Sequence, residues 1–469
     1  MSDELPKGWA TASLSTIAEI NPRHLKDLDG AMPVTFVPMA ALSESKPGFQ
    51  FTEERPLGEV RKGFTHFAER DVLFAKITPC MENGKGAVAR GLQNKLGCGT
   101  TELHVIRPLA DISAEYIYRF LAQDKVRRAA KENFTGTAGQ ARVPTSFIEE
   151  LEVPLAPLAE QRRIVAKLET LLGKVDACQQ RLTEIPVLLK RFRQSVLAAA
   201  CSGRLTADWR EENPDVGNAK SQIKAERFSL SESEENLPEL AETWAWVGLG
   251  NYAHCFRGRF SPRPRNDPRY FNGKHPFIQI GNLPREGGFV TSYNQTLNDE
   301  GLAVSRKFPK GTVVIAIVGA TIGNTGVLAY EMCVTDSLVG METGTPEGNR
   351  YVEFFLRHMK HDIRQASYSS GGQPNIKLEF LYPYPFALPP LPEQQEIVRR
   401  VEGLFALADQ LEKRLAKARG QVDKLTPSLL ARAFAGKLVP QDPTDEPALA
   451  LLARIKTQHQ SQSRRDDRK

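Results

Sequence analysis

Residues 139–205 read GQARVPTSFIEELEVPLAPLAEQRRIVAKLETLLGKVDACQQRLTEIPVLLKRFRQSVLAAACSGRL, and residues 372–438 read GQPNIKLEFLYPYPFALPPLPEQQEIVRRVEGLFALADQLEKRLAKARGQVDKLTPSLLARAFAGKL. Laid over one another at a constant offset of 233, they match without a gap, with 21 of 67 positions identical. An ungapped match of that length marks an internal repeat. Fainter echoes lie outside it: Leu5-Pro6 with Trp9 against Leu237-Pro238 with Trp244, Tyr116 and Phe120 against Tyr351 and Phe355, and Ile223-Lys224 against Ile455-Lys456. From about residue 15 to 110 and from 250 to 345 no alignment emerges. The chain therefore reads as two halves, each a divergent globular part followed by a similar helical part, a common scaffold holding two different readers.

The helical part declares its packing. From Ile164, alternate steps of four and three reach Leu168, Leu171, Val175, Cys178, Leu182, Ile185, Leu189, Phe192 and Val196. The same steps from Ile397 reach Val401, Leu404, Ala408, Leu411, Leu415, Ala418, Val422, Leu425 and Leu429. A sustained period of 3.5 residues keeps one seam facing a partner helix, which is the coiled-coil pattern. An amphipathic helix on a globular core would instead drift by about 20° per heptad. The natural partner of each helix is the other repeat.

Both helices open alike, at Pro157-Leu158-Ala159-Glu160-Gln161 and Pro390-Leu391-Pro392-Glu393-Gln394, with proline and acid where a helix start accepts them. Gly203 and Gly436 mark their ends. Pro186 and Pro427 lie inside the pattern and are expected to kink or break each helix. Ile164 to Val196 would span about 50 Å at 1.5 Å per residue.

The globular parts read as mixed α/β. Residues 71–77 and 311–318 are β-rich, and residues 114–130 look helical. Residues 208–239, with nine acids and four bases, read as a solvated linker with one short helix around Ser221–Arg227.

Composition sets outer bounds. With 469 residues, 41% apolar, 25% charged and a net charge of +6, the chain lies near the globular average, which argues against long disorder, a fibrous repeat or a membrane bundle. The most apolar run, residues 313–330, is broken by Gly319, Gly323, Asn324 and Gly326 and reads as strands and turns. Six scattered cysteines with no close pair argue against a zinc site or a disulfide framework. The opening Met1-Ser-Asp-Glu-Leu-Pro lacks the basic and apolar parts of a secretory signal, so a cytoplasmic location is expected.

Catalytic signals are poor. Gly319-Ala-Thr-Ile-Gly323-Asn-Thr is one residue short of a phosphate loop and has Asn324 where lysine is needed. Asn21-Pro22-Arg23-His24 is not the Asn/Asp-Pro-Pro-aromatic segment of an amino-methyltransferase, and no histidine pair has metal-ligand spacing. Signals for binding a polyanion are better. Between Cys255 and His275 stand Arg257, Arg259, Arg263, Arg265, Arg269 and Lys274 against one acid, Asp267, with Phe256, Phe260, Tyr270 and Phe271 interleaved. Such a loop suits phosphate contacts, and arginine can bridge two acceptors of guanine; the competing reading is a solvated loop whose aromatic residues dip into the core. In the first half Lys76, Lys85 and Arg90 flank the turn from Thr78 to Gly86. Gln140 and Gln373, with Arg142 and Asn375 beside them, occupy Gly-rich loops before the scaffold helices, where an amide reads adenine, clamps a phosphate or orders its own loop.

These pieces together resemble the specificity subunit of type I restriction-modification systems. The resemblance is carried by the paired PLAPLAEQRRIV and PLPPLPEQQEIV, by SVLAAACSGRLT and SLLARAFAGKLV, and by LPKGW near the front. VLFAKITPCMENGKGA, IVGATIGNTG, GGQPNIKLEFL and the segment from Asp445 to Ala448 add to it, so it covers the chain end to end. The resemblance implies an α+β fold: two mixed α/β target recognition domains (1–153 and 240–386) separated by two long helices (154–205 and 387–438) packed as an antiparallel coiled coil with a pseudo-two-fold repeat. An acidic linker would occupy 206–239 and a tail 439–469, whose last ten residues are expected to be disordered. The seam would be formed by Ile164, Leu168, Leu171, Val175, Leu182, Ile397, Val401, Leu404, Leu411 and Leu415.

It further implies a non-catalytic subunit. Each domain would read one half of a split duplex site while the helices fix the spacing and dock two methyltransferase subunits. S-adenosylmethionine, ATP and Mg2+ would belong to those partners and to a restriction/translocase subunit, with no cofactor on this chain and no membrane. The alternative is a coiled-coil scaffold whose globular halves bind protein or RNA. A 50 Å rod corresponds to at most about 15 base pairs at 3.4 Å each, so half-sites about one helical turn apart would fit.

Overall fold

The computed structural model describes residues 5–23, 28–44, 46–137, 140–368 and 375–466. By its contacts the chain divides into two units that interleave along the sequence: residues 1–183 with 416–469, and residues 184–415. Each unit thus holds one globular reader, the start of one scaffold helix and the end of the other.

The first scaffold helix runs Leu158–Cys201, about 65 Å at 1.5 Å per residue. The second runs Leu391–Val422 and resumes as Leu425–Phe434. In the first unit Gln179 Nε2 donates to Asp423 Oδ1 at 3.4 Å, and Arg419 Nη2 donates to the Leu182 carbonyl at 2.8 Å. In the second unit Arg193 pairs with Asp409 and Glu412 at 2.5 and 2.6 Å, and Arg400 Nη1 donates to the Leu205 carbonyl at 2.8 Å. Within each unit one number rises as its partner falls, so the helices pair antiparallel. One proline behaves as expected and the other does not: the second helix breaks at residues 423–424, just ahead of Pro427. Pro186 sits inside an unbroken helix. Pro427 lies in the first turn of Leu425–Phe434, where an N–H has no intrahelical partner to lose.

The seam is largely closed, both where it joins a globular core and beyond it. Ile164, Leu168, Val175, Ile397, Val401 and Leu415 are buried, and Leu171, Leu182 and Leu404 are half-buried. Leu411 is a correction: it is 40% exposed, as Cys178 and Leu425 are also exposed. Two helices alone do not cover every seam position equally, and Leu411 is exposed between the buried Ala408 and Leu415.

The readers are the larger surprise. In the first, one sheet orders its strands Ala18–Ile20, Leu103–Pro108, Val72–Ala75, Gly86–Val88, and a second orders them Glu53–Pro56, Pro33–Val37, Leu96–Gly99, Thr65–Ala68. In the second reader the corresponding orders are His254–Arg257, Leu338–Glu342, Val313–Ala316, Thr325–Leu328, extended by Phe289–Val290, and Gln295–Leu297, Phe271–Ile278, Met332–Val334, Arg306–Phe308. Pairing directions match strand for strand, including the one parallel pair that each second sheet holds, where Phe36 faces Cys98 and Phe277 faces Cys333. Two readers with no detectable alignment between residues 15 and 110 share one topology and one register.

A third, two-stranded ladder joins each reader to its helix. Ala10–Ser13 pairs antiparallel with Glu152–Leu155, and Ala245–Gly248 with Pro385–Leu388. Below it lies each unit's main core: Trp9, Tyr116, Ile164, Leu168, Leu430 and Phe434 in the first, and Trp244, Tyr351, Val196, Ile397 and Val401 in the second.

Linker and tail are also more ordered than their composition suggests. The helix of the linker is Ala207–Glu212, earlier than expected, and residues 219–222 form a 3-10 turn. Asn251 Oδ1 accepts from the backbone N–H groups of Arg227 and Phe228, and the Phe228 ring stacks on Tyr382 at 4.5 Å. The tail forms the helix Ala448–Asp466, which overturns the expectation of a disordered end through residue 466. Its first N–H donates to the Gly8 carbonyl at 2.8 Å, as the Ala219 N–H donates to the Thr243 carbonyl at 2.9 Å. Tail and linker thus play the same part in their two units, tying down the chain just before Trp9 and Trp244.

Candidate nucleic-acid interface

Each reader is held to its scaffold helix by a buried polar node that spacing alone did not reveal. Trp9 Nε1 donates to Glu160 Oε2 at 2.9 Å, and Trp244 Nε1 donates to Glu393 Oε2 at 2.8 Å, with both carboxylates buried. The second oxygen of Glu160 accepts from Gln441 Nε2 at 3.2 Å. That of Glu393 accepts from Thr206 Oγ1 at 2.6 Å and pairs with Arg210. Gln161 and Gln394, also buried, donate to the carbonyls of Ala156 and Pro389 at 2.8 and 2.9 Å. Tyr116 and Tyr351 donate to those of Pro154 and Ala387 at 2.6 and 2.7 Å. The helix-start acids read in the sequence are therefore anchors for the reader as well as partners of a helix dipole.

On this frame the offset between equivalent residues locates where the readers differ. Glu19 and His254, paired to Arg107 and Glu342, stand 235 apart; Phe36 and Phe277, paired to Cys98 and Cys333, stand 241 apart. Six extra residues of the second reader thus fall between them, in the arm that carries Arg257 to Arg269. The offset is still 241 at Ala75 and Ala316, drops to 239 at Val88 and Val327, and returns to 235 at Cys98 and Cys333. The first reader therefore has two extra residues between Ala75 and Gly86, in the turn bearing Lys85, and four between Val88 and Gly97, beyond it. The second reader's insertion coincides with the basic segment singled out in the sequence, and the first reader's does so in part.

In the first reader Lys76, Gln140 and Arg142 come together at the edge of Val72–Ala75. The Val143 N–H donates to the Lys76 carbonyl at 2.9 Å, and Ile77 bridges Arg142. Arg142 grips Glu102 through Nε and Nη2 at 2.8 and 2.7 Å and donates from Nη1 to the Gln140 carbonyl at 2.8 Å. That grip holds the Glu102 carboxyl below its ordinary range. The exposed Gln140 side chain is left facing outward, and Lys85 Nζ donates to the Met39 carbonyl at 3.3 Å. Arg90 does not join the group; its guanidinium pairs with Glu115 in the first turn of helix Ala114–Leu121. Under the sheet His104 is buried between Asn21 Nδ2 and the Val143 carbonyl at 3.2 and 2.9 Å, and burial pushes its pKa down.

In the second reader the arm is better compensated than its own sequence shows, because acids arrive from elsewhere. Asp336 pairs with Arg265 at 3.0 Å and lies 3.6 Å from Arg263, and its backbone carbonyl accepts from Arg257 Nε at 2.8 Å. Arg259 Nη2 donates to the Ser305 carbonyl at 2.9 Å, Arg269 pairs with Asp267 at 2.7 Å, and Lys274 lies 3.4 Å from Asp299. The aromatic residues divide: Phe260 is buried against Phe271 and Phe277, so part of the competing reading, rings dipping into a core, is correct. Asn375 bridges Val318, as Arg142 bridges Ile77, which makes the two loops equivalent; Gln373 lies outside the described residues.

Two loop-bearing readers of one topology, each latched to the start of one of two antiparallel helices, define a class of protein: a bipartite recognition subunit that offers two differently lined surfaces from a repeated frame. The model of the type I restriction modification DNA specificity domain matches residues 6–187 and 242–418, and the chain belongs to that family. Among its relatives, the EcoEI specificity subunit of Escherichia coli is 28% identical over 88% of this chain and 80% of its own. The EcoDI specificity subunit, also of Escherichia coli, is 30% identical over 76% and 78%. The fold is shared with the HsdS subunit of Thermoanaerobacter tengcongensis, with a TM-score of 0.64, 20% identity and coverage of 92% of this chain and 98% of that one. A second structure, from work on complex assembly and conformational transition of the type I R-M system, gives a TM-score of 0.67 at 20% identity over 92% and 99%. The chain is thus a specificity subunit that serves DNA recognition, which sets aside the reading of a scaffold for protein or RNA. Among the described residues no helix is long and apolar enough to cross a membrane.

Proposed function

We propose that each reader recognises one half of a split duplex site and that the paired helices set the distance between the halves. The observation that carries this is the contrast between the strand pairing that the two readers share and the differences in loop length between them, the largest of which lie in or beside their basic segments. A fixed frame with interchangeable loops is what a bipartite site with two independent sequences requires. In the first reader Lys76, Gln140 and Arg142 would face the bases and phosphates beside the 78–85 turn. In the second, the arm carrying Arg257, Arg259, Arg263, Arg265, Arg269 and Lys274, with the loop of Gln373 and Asn375, would do so. Arginine and amide side chains suit bidentate readout, and the remaining cations suit phosphate contacts.

In this reading the subunit performs no chemistry itself. Two methyltransferase subunits dock on the scaffold helices, where Val187, Leu188, Leu407 and Leu411 leave apolar side chains exposed for a partner to cover. S-adenosylmethionine, ATP and Mg2+ are used by those partners and by a restriction/translocase subunit, in the cytoplasm.

The test is a map of methylated adenines in cells with and without the gene. Loss of methylation at one split sequence is the expected result; no change at any split site would refute it. Exchanging residues 240–386 for those of another family member should alter one half of the target and leave the other intact.

A further inference from the structure

The second unit contains a basic cleft that none of the sequence-derived candidates touches. It measures about 600 Å³ and lies between the late part of the first scaffold helix and the helices Pro346–His358 and Lys360–Tyr368. Lys190, Arg193, Arg285, Arg357, Lys360 and Arg364 line it against a single acid, Glu286. Two of the six cations are spoken for: Arg193 by Asp409 and Glu412, and Arg357 partly by Glu353 at 3.7 Å. Among the described residues, Lys190, Arg285 and Arg364 have no carboxylate partner, and Lys360 Nζ reaches only the Arg285 carbonyl at 3.5 Å.

The excess is held in place by folding. Arg357 and Lys360 are kept low by burial, and Lys360 also by the neighbouring Arg364, Arg357 and Lys190, with Glu286 as its only countering charge. Like charges gathered in a concave, partly dry site focus a field on whatever enters it. Gly287 and Gly323 form part of the wall, where the missing side chains leave room for Arg357 and Lys360 to pack against the backbone. In the first unit the residues 233 positions after Lys190 and Arg193 are Asp423 and Thr426, so the scaffold-helix side of the cleft is not repeated there.

We propose that this cleft binds the phosphodiester backbone of the DNA, so that the second unit supplies sequence-independent affinity besides its base-reading loops. The ligand is a run of phosphates, because six cations recur around an open trough against a single acid. This rests on the DNA-recognition function of the chain and adds to it a backbone-binding site apart from the basic arm.

The experiment titrates the complete complex with two duplexes, one carrying the methylated site and one with that site scrambled, across 50–400 mM KCl. The triple variant Lys190→Gln, Lys360→Gln, Arg364→Gln is compared with wild type and with a charge-matched control, Lys413→Gln, Arg414→Gln, Lys417→Gln, after thermal unfolding has shown all three to be folded. Each phosphate contact contributes about 0.9 to the slope of log affinity against log salt. The cleft variant should therefore lose about 1–3 in slope and weaken on both duplexes by the same factor, with the control unchanged. A wild-type slope in the cleft variant, an equal loss in the control, or weakening on the specific duplex alone would overturn the proposal. If wild type fails to distinguish the two duplexes, it is the DNA-reading function that fails, a result separable from the slope.

Discussion

Arg419 Nη2 donates at 2.8 Å to the carbonyl of Leu182, the residue four positions before Pro186. That carbonyl would ordinarily accept from the N–H at position 186, which proline does not have. The second scaffold helix supplies the missing donor, and the first helix continues from Leu158 to Cys201 without a break. Replacing Arg419 with methionine keeps the stem and removes the donor, and should cost about 1–2 kcal/mol. In a Pro186→Ala background the alanine N–H takes over and the same replacement should cost much less. A double-mutant cycle by urea denaturation measures the difference, and equal costs in the two backgrounds would show that the bond does not compensate for the proline.

Such compensation explains which parts of the fold the sequence could reveal. Helical periodicity is local, so the scaffold helices were legible down to their first turns, as were the central strands Val72–Ala75 and Val313–Ala316. Pro186 looked like a break because its remedy sits on another helix. Leu411 looked like seam because a heptad count registers spacing and not how fully the facing helix covers each position. The common topology of the readers was invisible because strand pairing constrains only alternate inward residues, which interchange among apolar types while the loops change freely. At the candidate site the cations were legible, but Asp336 and Asp299, which balance the second reader's arm, arrive by tertiary contact. The cleft around Lys360 was missed because its residues come from three separate segments, none of them conspicuously basic.

The two helix-start acids offer a controlled comparison, since Glu160 is met by the neutral Trp9 and Gln441 while Glu393 is met by Trp244, Thr206 and the cationic Arg210. Glu160→Gln keeps a hydrogen-bonding amide among neutral partners and should cost about 1–2 kcal/mol. Glu393→Gln leaves a mostly buried guanidinium without its counter-charge and should cost about 3 kcal/mol or more. Thermal unfolding of both variants checks the order, and a Glu160→Gln loss as large as that of Glu393→Gln would show that charge pairing is not the source of the difference.

Acid should loosen the second unit through Glu396. Hydrogen bonds from Arg399 and Arg400 outweigh burial and push its carboxyl down to about 2, well below the ordinary value. A carboxyl lowered by folding adds stability in full above its unfolded value of about 4.3, and loses it as pH falls toward the folded value. Glu396→Gln should therefore be less stable than wild type near neutral pH and approach it as pH drops from about 4.5 to 2. Unfolding midpoints measured over that range would contradict the assignment if the gap between the two proteins stayed constant.

Asp336 is the acid on which the second reader's basic arm converges, holding Arg265 at 3.0 Å and standing 3.6 Å from Arg263. Thr335 Oγ1 donates to its other oxygen at 3.0 Å. An arginine held in this way presents its remaining donors in one direction, whereas a free one adds charge without direction. Asp336→Asn keeps the size and one acceptor while removing the countercharge, and the bond from Arg257 to the backbone carbonyl remains. In the complete complex this variant should bind the scrambled duplex more tightly than wild type. Its salt slope should be steeper by about 1–2, as up to two additional cations reach phosphates. Its preference for the methylated site should fall, because the gain is indifferent to sequence while the ordered arm that reads bases is lost. An unchanged preference together with an unchanged slope would mean that the arm does not face the DNA, and that the second reader depends on the loop of Asn375 instead.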